Sequence, residues 1–330
     1  MHGRFDRETT AEQVAQTASL RGQQVVLTGA SSGLGQETAR ALAIAGADLV
    51  LGVRDVRAGE AVACSIAADG AATIRVLALD LSDLHSVLCF SKQIAGPVDR
   101  LICNAGVSKT PDAHLPNGLD VRFATNHLGH FLLALCLRRQ MAQHGARIVV
   151  LSSAAHKGNP VHLDDLQWKQ RPHFDGAAYA ESKSANILFA QEATRRWAVQ
   201  SIFTNAVLPG SAMTGLQRYH GEALKRRIGF INADGSVNNW VKTIPQAAAT
   251  TLWAATAPEL EGCGGLVLED CAEALPVGPD THAWSGFDAR VADPETARRL
   301  WEHSIGLIHA LCGAQALPFT MPESSPRTRT

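Results

Sequence analysis

A tyrosine and a lysine with helical spacing are the first candidates for chemistry in this chain. Tyr179 and Lys183 stand four residues apart, so on a helix their side chains share one face. A free phenol titrates near pH ~10, too high for an effective base at neutral pH, and an adjacent ammonium favours the phenolate. The pair is therefore a candidate for moving a proton to or from an oxygen, although this spacing also arises often by chance.

A glycine-rich turn is the second candidate. It reads Thr28-Gly29-Ala30-Ser31-Ser32-Gly33-Leu34-Gly35 and follows an apolar run, with helical spacing after it. Glycines permit a tight turn and a close backbone approach, and the amides at a helix start attract phosphate. The residues expected to hold a dinucleotide here are Gly29, Ser31, Ser32, Gly33, Leu34 and Gly35. The alternative is a turn that binds nothing.

The elements that position these candidates alternate along the chain. Short apolar runs predict strands at Gln24–Thr28, Asp48–Val53, Ile74–Leu79, Arg100–Cys103, Arg147–Leu151, Ile202–Leu208 and Gly265–Leu268. Helices are predicted at Gln36–Ala45, Arg57–Ala68, from an N-cap at Ser82 to about Ala95, Val121–Gln143 and Tyr179–Val199. Strands that are apolar throughout are buried on both faces. The fold class is therefore α/β, a doubly wound parallel sheet of about seven strands with helices on both faces.

Composition and charge limit the partners and the cellular location that we expect for this protein. The 330 residues carry a formal charge of −1, which argues against nucleic acid, and no apolar run reaches the length of a membrane span. Seven cysteines without a C-x-x-C pair suit reduced thiols, so we expect a soluble cytoplasmic protein. Residues 1–20 are predicted as an N-terminal arm, 21–313 as a single domain and the proline-containing 314–330 as a disordered tail.

The order of the motifs resembles that of the short-chain dehydrogenase/reductase family. The glycine turn is followed by Asp80, Asn104-Ala105-Gly106, Asn126, Ser153 and Tyr179-x-x-x-Lys183, over about residues 20–275. Finer features, the stretches 126–131 and 182–189, resemble the retinol-dehydrogenase-like branch, and closely related sequence occurs in protochlorophyllide reductases. The resemblance implies a Rossmann-type domain that uses a nicotinamide dinucleotide.

The resemblance also implies roles for individual residues. Tyr179 would exchange the proton, Ser153 would hold the substrate oxygen, and Asn126 would hold a water beside Lys183, unless local backbone satisfies its amide. The cofactor contacts that it implies outside the glycine turn are Asp80, Leu81, Asn104, Ala105, Gly106, Tyr179, Lys183, Pro209, Gly210 and Thr214.

The end of the second predicted strand bears on the choice of cofactor. An enzyme that prefers NAD commonly has an acidic residue there, which binds the ribose 2′-hydroxyl. This chain has Val53 followed by Arg54, whose guanidinium suits a 2′-phosphate. NADP(H) is therefore favoured over NAD(H); the alternative is an exposed arginine paired with Asp55.

The leading hypothesis is an oxidoreductase that interconverts an alcohol and a carbonyl. A lid over about 211–245 mixes apolar and basic residues, which favours a bulky, mostly apolar substrate of terpenoid, steroid, retinoid or polyketide type. Reduction of an activated C=C bond and a non-catalytic NADP(H)-binding regulator are the alternatives. No metal is expected, because His127 and His130 lack a third ligand. The family also forms homodimers and homotetramers through its long helices.

Overall fold

The predicted alternation of strands and helices is present. The computed structural model describes residues 4–67, 72–141, 145–313 and 315. The strands in this part of the chain are β1 Gln24–Thr28, β2 Asp48–Val53, β3 Ile74–Ala78, β4 Arg100–Cys103, β5 Ala146–Leu151, β6 Ile202–Leu208, β7 Val267–Glu269 and β8 Ala272–Glu273. The runs predicted for β1, β2, β4 and β6 match the observed strands residue for residue.

The strands form one sheet in the order β3-β2-β1-β4-β5-β6-β7-β8. Neighbours from β3 to β7 pair in parallel, and β8 adds an antiparallel edge. Both faces of the sheet are buried, since Val25 and Leu27 pack into one apolar cluster and Val26 into another. The predicted doubly wound parallel sheet is confirmed, with one more short strand than expected.

Helices cover both faces of the sheet. They are α1 Ala11–Ala15, α2 Gly33–Ile44, α3 Val56–Ala67, α4 Leu84–Lys92, α5 Gly129–Leu137, α6 Asp175–Trp197, α7 Glu222–Arg227, α8 Ile244–Thr256 and α9 Pro294–Cys312. Asp83, not the predicted Ser82, caps α4, because its side chain accepts from the His85 amide while Ser82 bonds to Asp80. None of the helices in the described part of the chain combines the length and hydropathy needed to cross a bilayer.

The helix that was predicted over Val121–Gln143 departs from α geometry. Residues Phe123–Leu128 form a π-helical segment that continues into α5, and a 3₁₀ turn follows at Arg138–Gln140. Residues 142 and 143, the end of that prediction, lie outside the described residues. A π-helical segment inserts extra chain into a helix and frequently occurs at functional sites.

Both ends of the described chain pack onto the domain. In the segment predicted as an N-terminal arm, α1 contacts α2 and α8, and Ala11, Val14 and Ala15 are buried. At the other end α9 packs against α6, so it closes the layer that contains α5 and α6. The predicted disordered tail, 314–330, lies outside the described residues apart from residue 315.

Candidate active site

The glycine turn forms the tight cradle that its sequence suggests. Gly29 has a positive φ of 71°, and a Cβ there would lie 2.8 Å from Ala105. A Cβ on Gly35 would lie 2.1 Å from the Gly29 carbonyl oxygen, so only glycine fits. Helix α2 begins at Gly33, three residues earlier than predicted, and its N-cap Ser32 makes no side-chain capping bond. The first amides of α2 are thus available to an anion.

The loop after β4 is tied to this turn. The Asn104 side-chain amide donates to the Thr28 carbonyl at 2.8 Å and to the Gly29 carbonyl at 3.2 Å. The Thr28 hydroxyl in turn accepts from the backbone amides of Asn104 and Ala105. Asn104 and Ala105 therefore hold the shape of the turn, and together with Gly106 they line the space beside it.

A cavity of about 360 Å³ runs along the carboxyl ends of the parallel strands. The predicted site residues that line it are Gly29, Ser31, Ser32, Gly33, Leu34, Gly35, Arg54, Asp80, Leu81, Asn104, Ala105, Gly106, Tyr179, Lys183, Pro209 and Thr214. Asn126, Ser153 and Gly210 are not among its lining residues. Gly210 instead packs closely against Lys242, because a Cβ there would lie 2.9 Å from the Lys242 side chain.

Arg54 and Asp80 lie at the end of the cavity formed by β2 and β3. Arg54 is exposed and lines the cavity. Its neighbour Asp55 caps α3 by accepting from the Ala58 amide at 3.1 Å, so that carboxylate is engaged elsewhere. Asp80 accepts hydrogen bonds from the Ser82 amide and hydroxyl, which orient its carboxylate at the cavity wall.

Tyr179 and Lys183 lie on α6 and face the same cavity. The Lys183 Nζ atom is 5.7 Å from the centre of the Tyr179 ring and donates to the Leu151 carbonyl at 2.9 Å. Burial lowers the pKa of the Lys183 ammonium to about 8. Burial raises the pKa of Tyr179. The lowering of the phenol pKa by Lys183 stays a prediction.

The adjacent serines Ser152 and Ser153 make different contacts. Ser153 forms a side-chain hydrogen bond with Tyr179 that lowers the phenol pKa, opposing the effect of burial. The Ser152 hydroxyl donates to the Lys183 carbonyl at 2.8 Å. Ser153 is thus the serine that contacts the tyrosine, while Ser152 is the one that lines the cavity.

Asn126 lies in the π-helical segment and is fully buried. Its Oδ1 accepts from the Val107 amide, and its Nδ2 donates to the Val107 carbonyl and to the Ser182 hydroxyl. Ser182 donates in turn to the Tyr179 carbonyl. Asn126 therefore braces the loop after β4 against α6. Of the two alternatives that the sequence left open, the structure contains the one in which the Asn126 amide is satisfied by neighbouring groups.

The predicted lid divides into two parts. Near its start Leu216, Arg218 and Tyr219 line the cavity, and Thr214 caps the turn Gly215–Gln217. Further along, Phe230 packs edge-on against Trp240 and Trp284, and none of these three side chains lines the cavity.

A buried ion cluster beside the site was not predicted. Arg122 and Asp120 are 0% and 1% exposed and pair at 2.7 Å, and His173 also contacts the Asp120 carboxylate. Arg122 pairs with Asp175 at the first turn of α6 and donates to Thr110, which lines the cavity. The arginine in an otherwise apolar helical segment was the available signal.

Comparisons with known proteins identify the family of the chain. The family model described as short chain dehydrogenase matches residues 23–225. A probable oxidoreductase of Streptomyces lividans is 41% identical over 88% of this chain and 99% of its own. Human retinol dehydrogenase 13 is 35% identical over 88% of this chain and 86% of its own.

A solved structure shares the fold. The short-chain dehydrogenase of Burkholderia cenocepacia J2315 in complex with NADP has a TM-score of 0.61 and 24% identity, and the match covers 76% of this chain and 96% of that one. The chain therefore belongs to the short-chain dehydrogenase family of NAD(P)-dependent oxidoreductases, in keeping with the resemblance to its retinol-dehydrogenase-like branch.

Proposed function

We propose that the protein is an NADP(H)-dependent oxidoreductase that interconverts an alcohol and a carbonyl on a bulky, mostly apolar substrate. The observation that carries this proposal is the meeting of two groups in one cavity. Tyr179, which Ser153 contacts by a hydrogen bond, and Lys183 line the same cavity as the glycine turn at the start of α2. The catalytic domain would span residues 21–313.

The residues present suit a nicotinamide dinucleotide. The cradle that a Cβ on Gly29 or Gly35 would fill leaves room for a pyrophosphate beside the α2 amides. Asp80 would accept from the adenine amino group, and Thr214 with Pro209 would border the nicotinamide. When bound, the cofactor supplies or accepts the hydride.

The chain itself supplies the proton and the orientation. Ser153 would donate to the substrate oxygen and hold it near Tyr179. The Tyr179 hydroxyl would give its proton to the alkoxide in reduction and take it back in oxidation. Lys183 lies next to the ring, and Asn126 would brace the loop after β4 against α6, which carries Tyr179 and Lys183.

The cofactor preference rests on Arg54. An exposed guanidinium at the end of β2, with Asp55 engaged in capping α3, suits a 2′-phosphate, which it can bind by charge-assisted hydrogen bonds. A carboxylate, which would repel that phosphate, is absent from the corresponding position, Val53.

The substrate class rests on the other end of the cavity. The residues that line the cavity include the apolar side chains Val107, Pro111, Val121 and Leu216. Tyr219 is 45% exposed and stands at the lid side of the cavity. Such a wall excludes water from a large hydrocarbon better than it binds a small polar alcohol.

The test is NADPH oxidation over a panel of bulky ketones, aldehydes, quinones and enones, with Tyr179→Phe as the control. We expect turnover of at least one carbonyl, and a loss of about 10²-fold or more in the variant. Turnover confined to enones would replace the proposal with C=C reduction. Cofactor binding without turnover on the whole panel, unaffected by Tyr179→Phe, would replace it with a regulatory role.

A further inference from the structure

Arg218 is a charged lid residue that the proposed mechanism does not use. It follows the turn Gly215–Gln217 and lines the same cavity as Ser31, Ser32 and Gly33. Its guanidinium is one of the few charged groups of that cavity. The charged residues that line it in the described part of the chain are Arg54, Asp80, Lys183 and Arg218.

The first turn of the lid lies directly against the start of α2. A Cβ on Gly33 would lie 3.3 Å from the Thr214 Cβ atom. A Cβ on Gly215 would lie 3.9 Å from the Arg218 Nη1 atom and 3.9 Å from the Ser32 Oγ atom. The guanidinium and the Ser32 hydroxyl therefore flank the same glycine, at the mouth of the phosphate cradle.

Local contacts hold Arg218 in this place. Its Nη1 donates to the Gly215 carbonyl at 2.8 Å, and the guanidinium carbon is 5.3 Å from the centre of the Tyr219 ring. The preceding turn is fixed by a capping box between Thr214 and Gln217. A guanidinium has several further N–H groups, which the Gly215 bond leaves available to an anion.

The other cations of the cavity are committed elsewhere. Lys183 is buried and donates to the Leu151 carbonyl, next to Tyr179. Arg54 lies at the end of β2, where the proposed function places the 2′-phosphate. Arg218 is thus the remaining positive side chain among the described lining residues for the charge that would sit at the N-terminus of α2.

We propose that Arg218 binds the pyrophosphate of the dinucleotide and so fastens the start of the lid over the bound cofactor. The inference rests on the proposed NADP(H)-binding function. It predicts that cofactor binding and lid closure are coupled, because the two phosphates offer the guanidinium a bidentate partner that it lacks otherwise.

Fluorescence titration with NADPH tests the contact. We expect Arg218→Gln to raise the NADPH Kd about tenfold and Arg218→Lys to raise it less. Arg227→Gln is the matched control, since Arg227 is an exposed lid residue on α7 outside the cavity lining, and its Kd should equal that of the native protein.

Adenosine 2′-monophosphate, which lacks the pyrophosphate, shows whether Arg218 acts on the pyrophosphate or on the whole cofactor site. As a competitor of NADPH it should bind Arg218→Gln as well as the native protein, whereas Arg54→Gln should weaken it. Equal loss of this fragment and of NADPH in Arg218→Gln would overturn the proposal, because the arginine would then act on the whole site.

Cleavage after the exposed Glu222 by a glutamate-specific protease reports on the lid. Saturating NADPH should slow cleavage of the native protein at least about threefold more than cleavage of Arg218→Gln. Equal protection, or an unchanged NADPH Kd in Arg218→Gln, would overturn this inference and leave the proposed function intact. Failure of the native protein to bind NADPH at all would overturn both.

Discussion

At the scale of single residues, the state of Tyr179 decides what the site does at neutral pH. Burial raises the pKa of its hydroxyl, and the Ser153 hydrogen bond opposes that rise. The phenol is therefore protonated at neutral pH, which is the form that donates a proton to an alkoxide. The alcohol-oxidising direction needs the opposite form, the phenolate, which becomes more abundant as the pH rises.

Because the pKa of Tyr179 is raised, the two reaction directions should have different pH profiles. The kcat/KM for carbonyl reduction should change by less than about twofold between pH 6 and 8, since the acid form is fully present there. The kcat/KM for oxidation should rise with pH over the same range. Parallel profiles, or an oxidation limb that is complete below pH 7, would contradict a buried phenol with a raised pKa.

Arg54 should control the choice between the two dinucleotides. We expect Arg54→Ala to weaken NADPH binding by about 10- to 100-fold, because charge-assisted bonds to the 2′-phosphate are lost, and to change NADH binding by less than about twofold. Titration with both cofactors measures this. Arg57→Ala, an exposed arginine on the neighbouring α3, is the control, and equal losses for NADPH and NADH in Arg54→Ala would refute the assignment.

At the scale of elements, the π-helical segment joins the two halves of the site. His130, one turn after Asn126, donates from Nδ1 to the Asn126 carbonyl at 3.0 Å, and its Nε2 lies 2.8 Å from the Thr28 hydroxyl. Burial lowers the pKa of His130 to about 4, so the ring is neutral and can donate and accept at once. It connects the segment that braces α6 with the threonine that fixes the glycine turn.

Replacing His130 should therefore cost stability. His130→Leu leaves the buried Asn126 carbonyl and Thr28 hydroxyl without this partner, and we expect the free energy of unfolding to fall by about 2–4 kcal/mol. Urea unfolding measures the change, with His303→Leu, an exposed histidine on α9, as the control. A variant as stable as the control would show that the histidine only fills space.

The sequence predicted elements well where one local pattern decides them. Apolar runs located the strands, but β8 has only two residues, too few to leave a pattern. Helix α8 went unpredicted although Thr243 and Gln246 form a capping box with a proline in the first turn, a signal that was present. The π-helical segment around Asn126 depends on tertiary packing, so no spacing rule could give it.

At the scale of the whole molecule, α9 completes the core on one side of the sheet. Its Trp301 packs edge-on against Phe131 of α5, with ring centres 4.7 Å apart, and against Trp197 of α6 at 5.2 Å. The motifs Tyr179-x-x-x-Lys183 and the glycine turn could be found in the sequence. The packing of Trp301 against Phe131, two residues far apart in the chain, could not be found there.

The packing of Trp301 predicts both a stability loss and a change in association. Trp301→Ala should lower the free energy of unfolding by about 3–5 kcal/mol, because the ring is buried among aromatic side chains of α5 and α6. Trp284→Ala, a half-buried tryptophan beside the lid, is the matched control and should lose less. Since α9 covers the apolar face of α5 and α6, loosening it should also raise the weight-average mass measured by light scattering. Equal losses of stability in the two variants, with no increase in mass, would mean that α9 lies on a core that is already complete without it.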